Sequence, residues 1–362
     1  MKVLFLSHQA DFIYGGEICT LSFMEELSRQ GVEVHFASPP GAYAERAAAF
    51  AACHEIPSIQ FSRNFSLLPS LAVSWKSTES KLGKIIRREQ IEVLHATSLK
   101  AMVYAWSLRR KLPVVWHHHD ILPAGFWNDQ WANLLAKGAR LILAPSAATR
   151  LALVQSGVSP VKVKVLNNGF KVDEWQARPE RKGGELTLGF VGELSERKGV
   201  DRLPEILRAC NQRMNCRLLL VGDAVSDPVF GKTIRKAFEG FGKKVEFLGR
   251  RNDVKEILQG VDVLLVPSRQ DPLPTVIVEA GLSGVPVVAS PVGGIAEMVT
   301  DGENGYLAAE NPDWVERIHD LEDAETWRKC ASGARELAVE RYDIVRLAAE
   351  LTDEYERLLA SE

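Results

Sequence analysis

Cysteine is scarce in this 362-residue chain. The five present, Cys19, Cys53, Cys210, Cys216 and Cys330, are odd in number, scattered, and lack the close paired spacing of metal sites. That argues against a disulfide framework and a zinc site, and it fits reduced thiols in the cytoplasm. Long apolar runs are missing as well. The opening MKVLFLSHQA turns polar at Ser7 and His8 after one strand length, too short for a signal-peptide core or a membrane span. Any membrane contact is therefore expected to be peripheral, at the inner face. Strong net charge is absent too, since 44 Lys and Arg against 47 Asp and Glu give −3. No nucleic-acid recognition motif occurs, so no nucleic-acid partner is expected. The balance hides an asymmetry: residues 1–170 carry 18 basic and 12 acidic side chains, leaving the remainder at −9. A basic first half suits an anionic substrate or surface.

What is present is a repeating pattern. Residues 2–7, 32–38, 91–95, 113–116 and 141–145 are short apolar or β-branched runs separated by helical stretches, the alternation of a parallel sheet covered on both faces. The pattern restarts at 186–191, 216–221, 245–248, 262–266 and 286–289, which predicts two doubly wound α/β domains. The charged stretch from Lys171 to Gly184 reads as the linker, with domains at 1–172 and 173–342. An amphipathic terminal helix is expected over about 343–362.

The segment Asp271–Gly294, DPLPTVIVEAGLSGVPVVASPVGG, carries the most chemistry. Pro274 suits the first turn of a helix running from Thr275 to Ser283 and ended by Gly284 and Pro286. The unpaired amides of that first turn and the positive end of the helix dipole favour a phosphate. Thr275 and Glu279, four apart, share one helical face, and Asp271 lies just outside the helix. A phosphate site flanked by hydroxyl-binding acids is the shape of a nucleotide-sugar site.

Other motifs fall at predicted strand ends. Gly15-Gly16-Glu17 follows the first strand and precedes a helix read over Cys19–Arg29; a glycine pair there lets backbone approach a phosphate or sugar. His117-His118-His119-Asp120 follows the strand at 113–116, without the second cluster that a metal site would need. FVGELSERKG, Phe190 to Gly199, is a strand, a glycine turn and a basic pair, a fit for a diphosphate clamp. Arg250-Arg251 follows a strand ending in FLG.

Together these motifs resemble the retaining glycosyltransferases of family 4, in which an acid, seven residues and a glutamate precede a Gly-x-Pro-Val-Val strand and a Gly-Gly turn. Asp271 stands where that family usually has Glu. The resemblance implies the GT-B fold, two facing Rossmann-like domains with the terminal helix crossing back to the first. It implies transfer of a hexosyl group from a UDP-, GDP- or ADP-sugar to a glycan or lipid-linked acceptor in cell-surface polysaccharide assembly, with no metal and no other cofactor. Glu279 would hold the ribose hydroxyls and Asp271 the hydroxyls of the sugar, with amides near Leu273 and Thr275 on the β-phosphate and Lys198 on the diphosphate. Arg250 would lie near the base and phosphates, Gly16 would line the cleft, and His119 would orient the sugar, with His117 sharing its side. His95 also aligns with a family histidine and reads as a buried, satisfied one. Glu193 replaces the family's usual Arg, so either it points away and Arg197 or Arg250 supplies the second cation, or donor binding is weakened. Asn167-Asn168-Gly169 resembles the family's turn before the linker.

Residues 61–90 combine Phe61, Phe65, Leu67, Leu68 and Trp75 with Lys76, Lys81, Lys84, Arg87 and Arg88. Packing of the apolar side in the core is the expected arrangement, and contact with an anionic membrane surface the alternative. Two other functions fit the same residues: a non-catalytic nucleotide-sugar or glycan-binding subunit, and a sugar-nucleotide epimerase or hydrolase.

Overall fold

The computed structural model describes residues 1–10, 15–57, 68–119, 126–178, 180–181 and 183–361, without the side chains of 68–74 and 126–128. Asp120, Phe61, Phe65, Leu67 and the side chain of Leu68 therefore lie outside the described residues. Two compact units divide the chain, Met1–Phe170 with Ile344–Glu362, and Lys171–Asp343.

Unit 1 contains strands β1 (Lys2–Leu6), β2 (Glu33–Ser38), β3 (Ala52–Glu55), β4 (Val93–Ala96), β5 (Val114–His117), β6 (Leu141–Ala144) and β7 (Val163–Val165). Its helices are α1 (Gly15–Arg29), α2 (Ala42–Ala47), α3 (Leu68–Glu89), α4 (Leu99–Ala105), α5 (Phe126–Ala136) and α6 (Ala147–Gln155). The strands pair in parallel in the order β3-β2-β1-β4-β5-β6-β7. Alternation along β1 shows how both faces are covered. Leu4 and Leu6 pack with Leu82, Ile85 and Ile86 of α3, while Val3 and Phe5 pack with Phe23 and Met24 of α1.

Unit 2 repeats the scheme with β8 (Leu186–Val191), β9 (Cys216–Val221), β10 (Val245–Gly249), β11 (Val263–Val266), β12 (Val287–Ala289) and β13 (Gly305–Leu307), in the parallel order β10-β9-β8-β11-β12-β13. Its helices are α7 (Leu203–Cys210), α8 (Pro228–Ala237), α9 (Val254–Leu258), α10 (Thr275–Leu282), α11 (Asn311–Asp320) and α12 (Ala324–Tyr342). Gly281 lets α12 press against α10, since a Cβ there would lie 2.7 Å from the Ala334 carbonyl oxygen.

The last helix, α13 (Ile344–Ala360), belongs to unit 1, where Leu347, Leu351 and Tyr355 share the core of α1. Gly169 makes its entry possible. A Cβ at that position would meet Ile344, whose amide donates to the Phe170 carbonyl at 2.9 Å. The Asn-Gly turn noted in the sequence thus seats the terminal helix.

Three strands were not read from the sequence: β3, β7 and β13. Each is short, and β3 (ACHE) and β7 (VKV) lie at the edges of the unit 1 sheet, where polar residues break the apolar run. The helix expected at Cys19 begins four residues earlier, so Gly15 and Gly16 form its first turn instead of a loop. Pro274 also moves by one position, to the N-cap of α10, because its ψ of 114° keeps it outside the helix.

Candidate functional site

In each sheet the strand order reverses at one point, β1/β4 in unit 1 and β8/β11 in unit 2, and the crevice beyond the carboxyl ends of such strands is where ligands bind in open α/β sheets. In unit 2 this crevice holds an ion pair. Lys198, after β8, donates from Nζ to Oδ2 of Asp271, after β11, at 2.6 Å. Asp271 is 2% exposed, so its carboxylate is held out of water with a single strong partner. Arg197 Nη1 stands 4.0 Å from the same oxygen.

Two local features bring these loops together. Gly199 has φ 69°, and a Cβ on it would lie 1.9 Å from the Pro267 carbonyl oxygen, so only glycine allows the β8 loop to touch the β11 loop. Arg269 then ties them. Its amide donates to the Arg197 carbonyl at 2.8 Å, and its guanidinium makes a two-pronged pair with Asp201 at 2.7 and 2.6 Å. Sequence reading missed Arg269, whose only signal was its place two residues before Asp271.

Behind the pair, α10 begins at Thr275. Helix geometry leaves its first amides without intrahelical acceptors, and Leu273 precedes it as a buried anchor. Glu279, one turn in, accepts a hydrogen bond from the Thr275 side chain and feels the charge of Lys198. Those two effects only partly offset desolvation by the surrounding protein, which pushes its carboxyl up to about 7, although the side chain keeps some accessible surface. Asp271, Lys198, Thr275 and Glu279 are thus brought together. Arg250 lies farther along, at the end of β10, two strands from β8, and is exposed.

Glu193 turns toward the β9–α8 loop, where its Oε1 accepts from the Ser226 amide at 3.1 Å. Its charge is occupied there, and Arg197 is the second basic residue near Asp271, after Lys198.

In unit 1 the ends of β4 and β5 hold a cluster of histidine rings. His119 follows β5, and Gly16 faces it: a Cβ on Gly16 would sit 3.8 Å from the imidazole, ordinary contact distance. Neither backbone nor neighbours demand glycine at 16, so the residue only leaves room beside His119. The His119 ring lies over His117 at 4.1 Å. His117 Nδ1 is 3.3 Å from His95 Nε2, and His95 Nδ1 is 2.6 Å from the Tyr355 hydroxyl of α13. Burial pushes His95 down to about 3 and His118 to about 4, and holds His117 well below the usual range. His95 is the buried, bonded histidine anticipated from sequence; its link to α13 was not legible there.

Two family models cover most of this chain. Residues 13–174 match Glycosyltransferase Family 4, and residues 185–323 match Glycosyl transferases group 1. The chain belongs to the family 4 glycosyltransferases. A 41.2 kDa protein in the cps region of Klebsiella pneumoniae is 27% identical over 77% of this chain and 81% of its own length. The alpha-maltose-1-phosphate synthase of Mycobacterium tuberculosis is 29% identical over 65% of this chain and 66% of its own. Among solved structures, Anabaena HepE in complex with UDP and glucose superposes with a TM-score of 0.81 at 25% identity, over 98% of this chain and 99% of that one. The two Rossmann-like units are those of the GT-B fold that such glycosyltransferases share.

Proposed function

We propose that this glycosyltransferase moves a hexosyl group, with retention, from a nucleoside-diphosphate sugar to a hydroxyl of a glycan or lipid-linked acceptor, without a metal. The observation that carries the reading is the Lys198–Asp271 pair at the strand reversal of unit 2, beside the first turn of α10. Lys198 and the amides near Leu273 and Thr275 put positive charge where the leaving diphosphate gains negative charge, the largest single contribution a protein of this kind makes to such a step. Asp271, released from Lys198, accepts from hydroxyls of the transferred sugar, and Glu279 accepts from the ribose. Arg197 supplies the second cation, and Arg250 reaches toward the base. Gly16 and His119 of unit 1 are assigned to the sugar, and the departing phosphate takes the acceptor proton on the same face.

HepE has been solved with UDP and with UDP-glucose, which makes a uridine donor the first to try, and the Klebsiella relative in a cps region supports polysaccharide assembly. No helix among the described residues is long and apolar enough to cross a membrane. Peripheral contact would rest on charge, since Leu82, Ile85 and Ile86 of α3 are buried in the core and Lys76, Lys81, Lys84, Arg87 and Arg88 stay exposed.

The test is a thermal-shift screen of UDP-, GDP- and ADP-sugars, followed by product analysis with and without acceptor. A true donor at 100 times its Kd adds about 2.7 kcal/mol. Stabilisation by none of them would sink the reading, and release of free sugar at equal rate without acceptor would favour a hydrolase.

A further inference from the structure

The Tyr355–His95–His117 series lies outside the set of residues assigned to substrate, and its proton order follows from counting. A neutral imidazole carries one N–H and one lone pair, so two contacts in series across two rings have two consistent directions. In the outward direction His117 Nδ1–H donates to His95 Nε2, and His95 Nδ1–H donates to the Tyr355 oxygen. The phenol proton then has no acceptor among the described residues, and His117 Nε2 is left as a bare acceptor. In the inward direction the phenol donates to His95 Nδ1, and His95 Nε2–H donates to His117 Nδ1. One group is left over, the Nε2–H of His117, and that atom is indeed buried without a partner among the described residues. The inward order leaves one unsatisfied group where the outward order leaves two, and buried unsatisfied groups are costly.

Position makes this order matter. Tyr355, His95 and His117 are 0, 0 and 2% exposed, so their polar atoms are shielded from bulk water. Phe5 stacks on His95 at 4.5 Å and fixes its plane. His95 and His117 stand on neighbouring strands β4 and β5, and His119 lies over His117. The terminal helix therefore reaches, through two rings, the histidine assigned to the sugar.

We propose that Tyr355 is a positioning residue: its hydroxyl sets both His95 and His117 as Nε2–H tautomers and so fixes the orientation of the ring on which His119 rests. The proposal rests on the assignment of His119 to the substrate, and its primary measurement does not. Imidazole 15N spectra of the full chain, labelled at histidine, report which nitrogen of each ring carries the proton. Wild type should show His95 and His117 as Nε2–H, and Tyr355→Phe, which keeps the ring and removes only the hydroxyl, should shift His95 toward Nδ1–H. Turnover in Tyr355→Phe should fall about fivefold, the scale of one lost hydrogen bond, with donor KM within about twofold of wild type. A His117 found as Nδ1–H, a spectrum unchanged by Tyr355→Phe, or an unchanged kcat would each overturn the proposal. Full turnover in His119→Ala would instead remove the site assignment, while the wild-type tautomers would still stand as measured.

Discussion

Units 1 and 2 are built on the same strand order up to their sixth strands, yet they place opposite kinds of chemistry at the strand ends. Unit 2 sets charges against each other, Lys198 against Asp271 and Arg269 against Asp201, across a backbone contact that only Gly199 permits. Unit 1 sets rings against each other, three buried histidines kept neutral by desolvation. Seven of the eight histidines lie in the first 170 residues. A shared scaffold therefore does not dictate a shared electrostatic environment. The charged crevice of unit 2 has the chemistry to suit an anionic, diphosphate-bearing ligand, whereas the histidine cluster of unit 1 offers hydrogen-bonding and stacking rings.

The comparison breaks most sharply at the ion pair. Asp271→Asn should lower turnover at least about a hundredfold, or about 2.7 kcal/mol, with Lys198→Ala similar; a loss of under about threefold would remove the charged half-site from the chemistry. Gly199→Ala should destabilise unit 2 by about 3 kcal/mol through its left-handed backbone and the clash with Pro267, read as early hydrogen exchange confined to residues 171–343. Glu279→Gln should lose at least about tenfold in turnover, or about 1.4 kcal/mol, while raising the melting temperature at pH 8.

The sign of that last effect follows from linkage. A carboxyl raised in the folded state to about 7, from an ordinary 4.5, binds its proton more tightly when folded. Its contribution is fully present below pH 4.5 and is lost as pH rises through 7, by up to about 3 kcal/mol. The buried histidines run the other way. His95 and His118, depressed to about 3 and about 4, contribute stability that is present above 6.5 and lost as pH falls toward those values. On going from pH 8 to pH 5, exchange protection should therefore weaken in unit 1 and strengthen around α10 in unit 2. Parallel slopes in the two units would count against the contrast. The smallest effect is expected at Gly16, where Ala fits beside His119 and should change stability by less than about 0.5 kcal/mol.

Much of unit 2 was legible because its signals are local. The β11 run is continuously apolar and the β8 and β9 runs nearly so, broken by Thr187 and Arg217; Thr275 and Glu279 are related by helical geometry, and Asp271 lies only four residues before Thr275. Unit 1 was less so. His95, His117 and Tyr355 meet only after β4, β5 and α13 pack, and Tyr355 lies 260 residues from His95 in sequence. Glu193 illustrates the same limit. Its sequence position gave only the conflict of a carboxylate with a diphosphate, and its partner, the Ser226 amide, comes from the loop after the adjacent strand β9.

The 2.6 Å contact between Lys198 and Asp271 has a further consequence for which molecules stay bound. Each group is already spoken for, so a ligand that engages only Lys198 strands a buried carboxylate, and one that engages only Asp271 strands a cation. Under the proposed assignment, an intact donor would offer the phosphate and the hydroxyls at once and exchange both partners together. On that assignment the pair would work as a coincidence detector, admitting the whole donor, penalising each fragment, and weakening the hold on the nucleotide once its sugar has left.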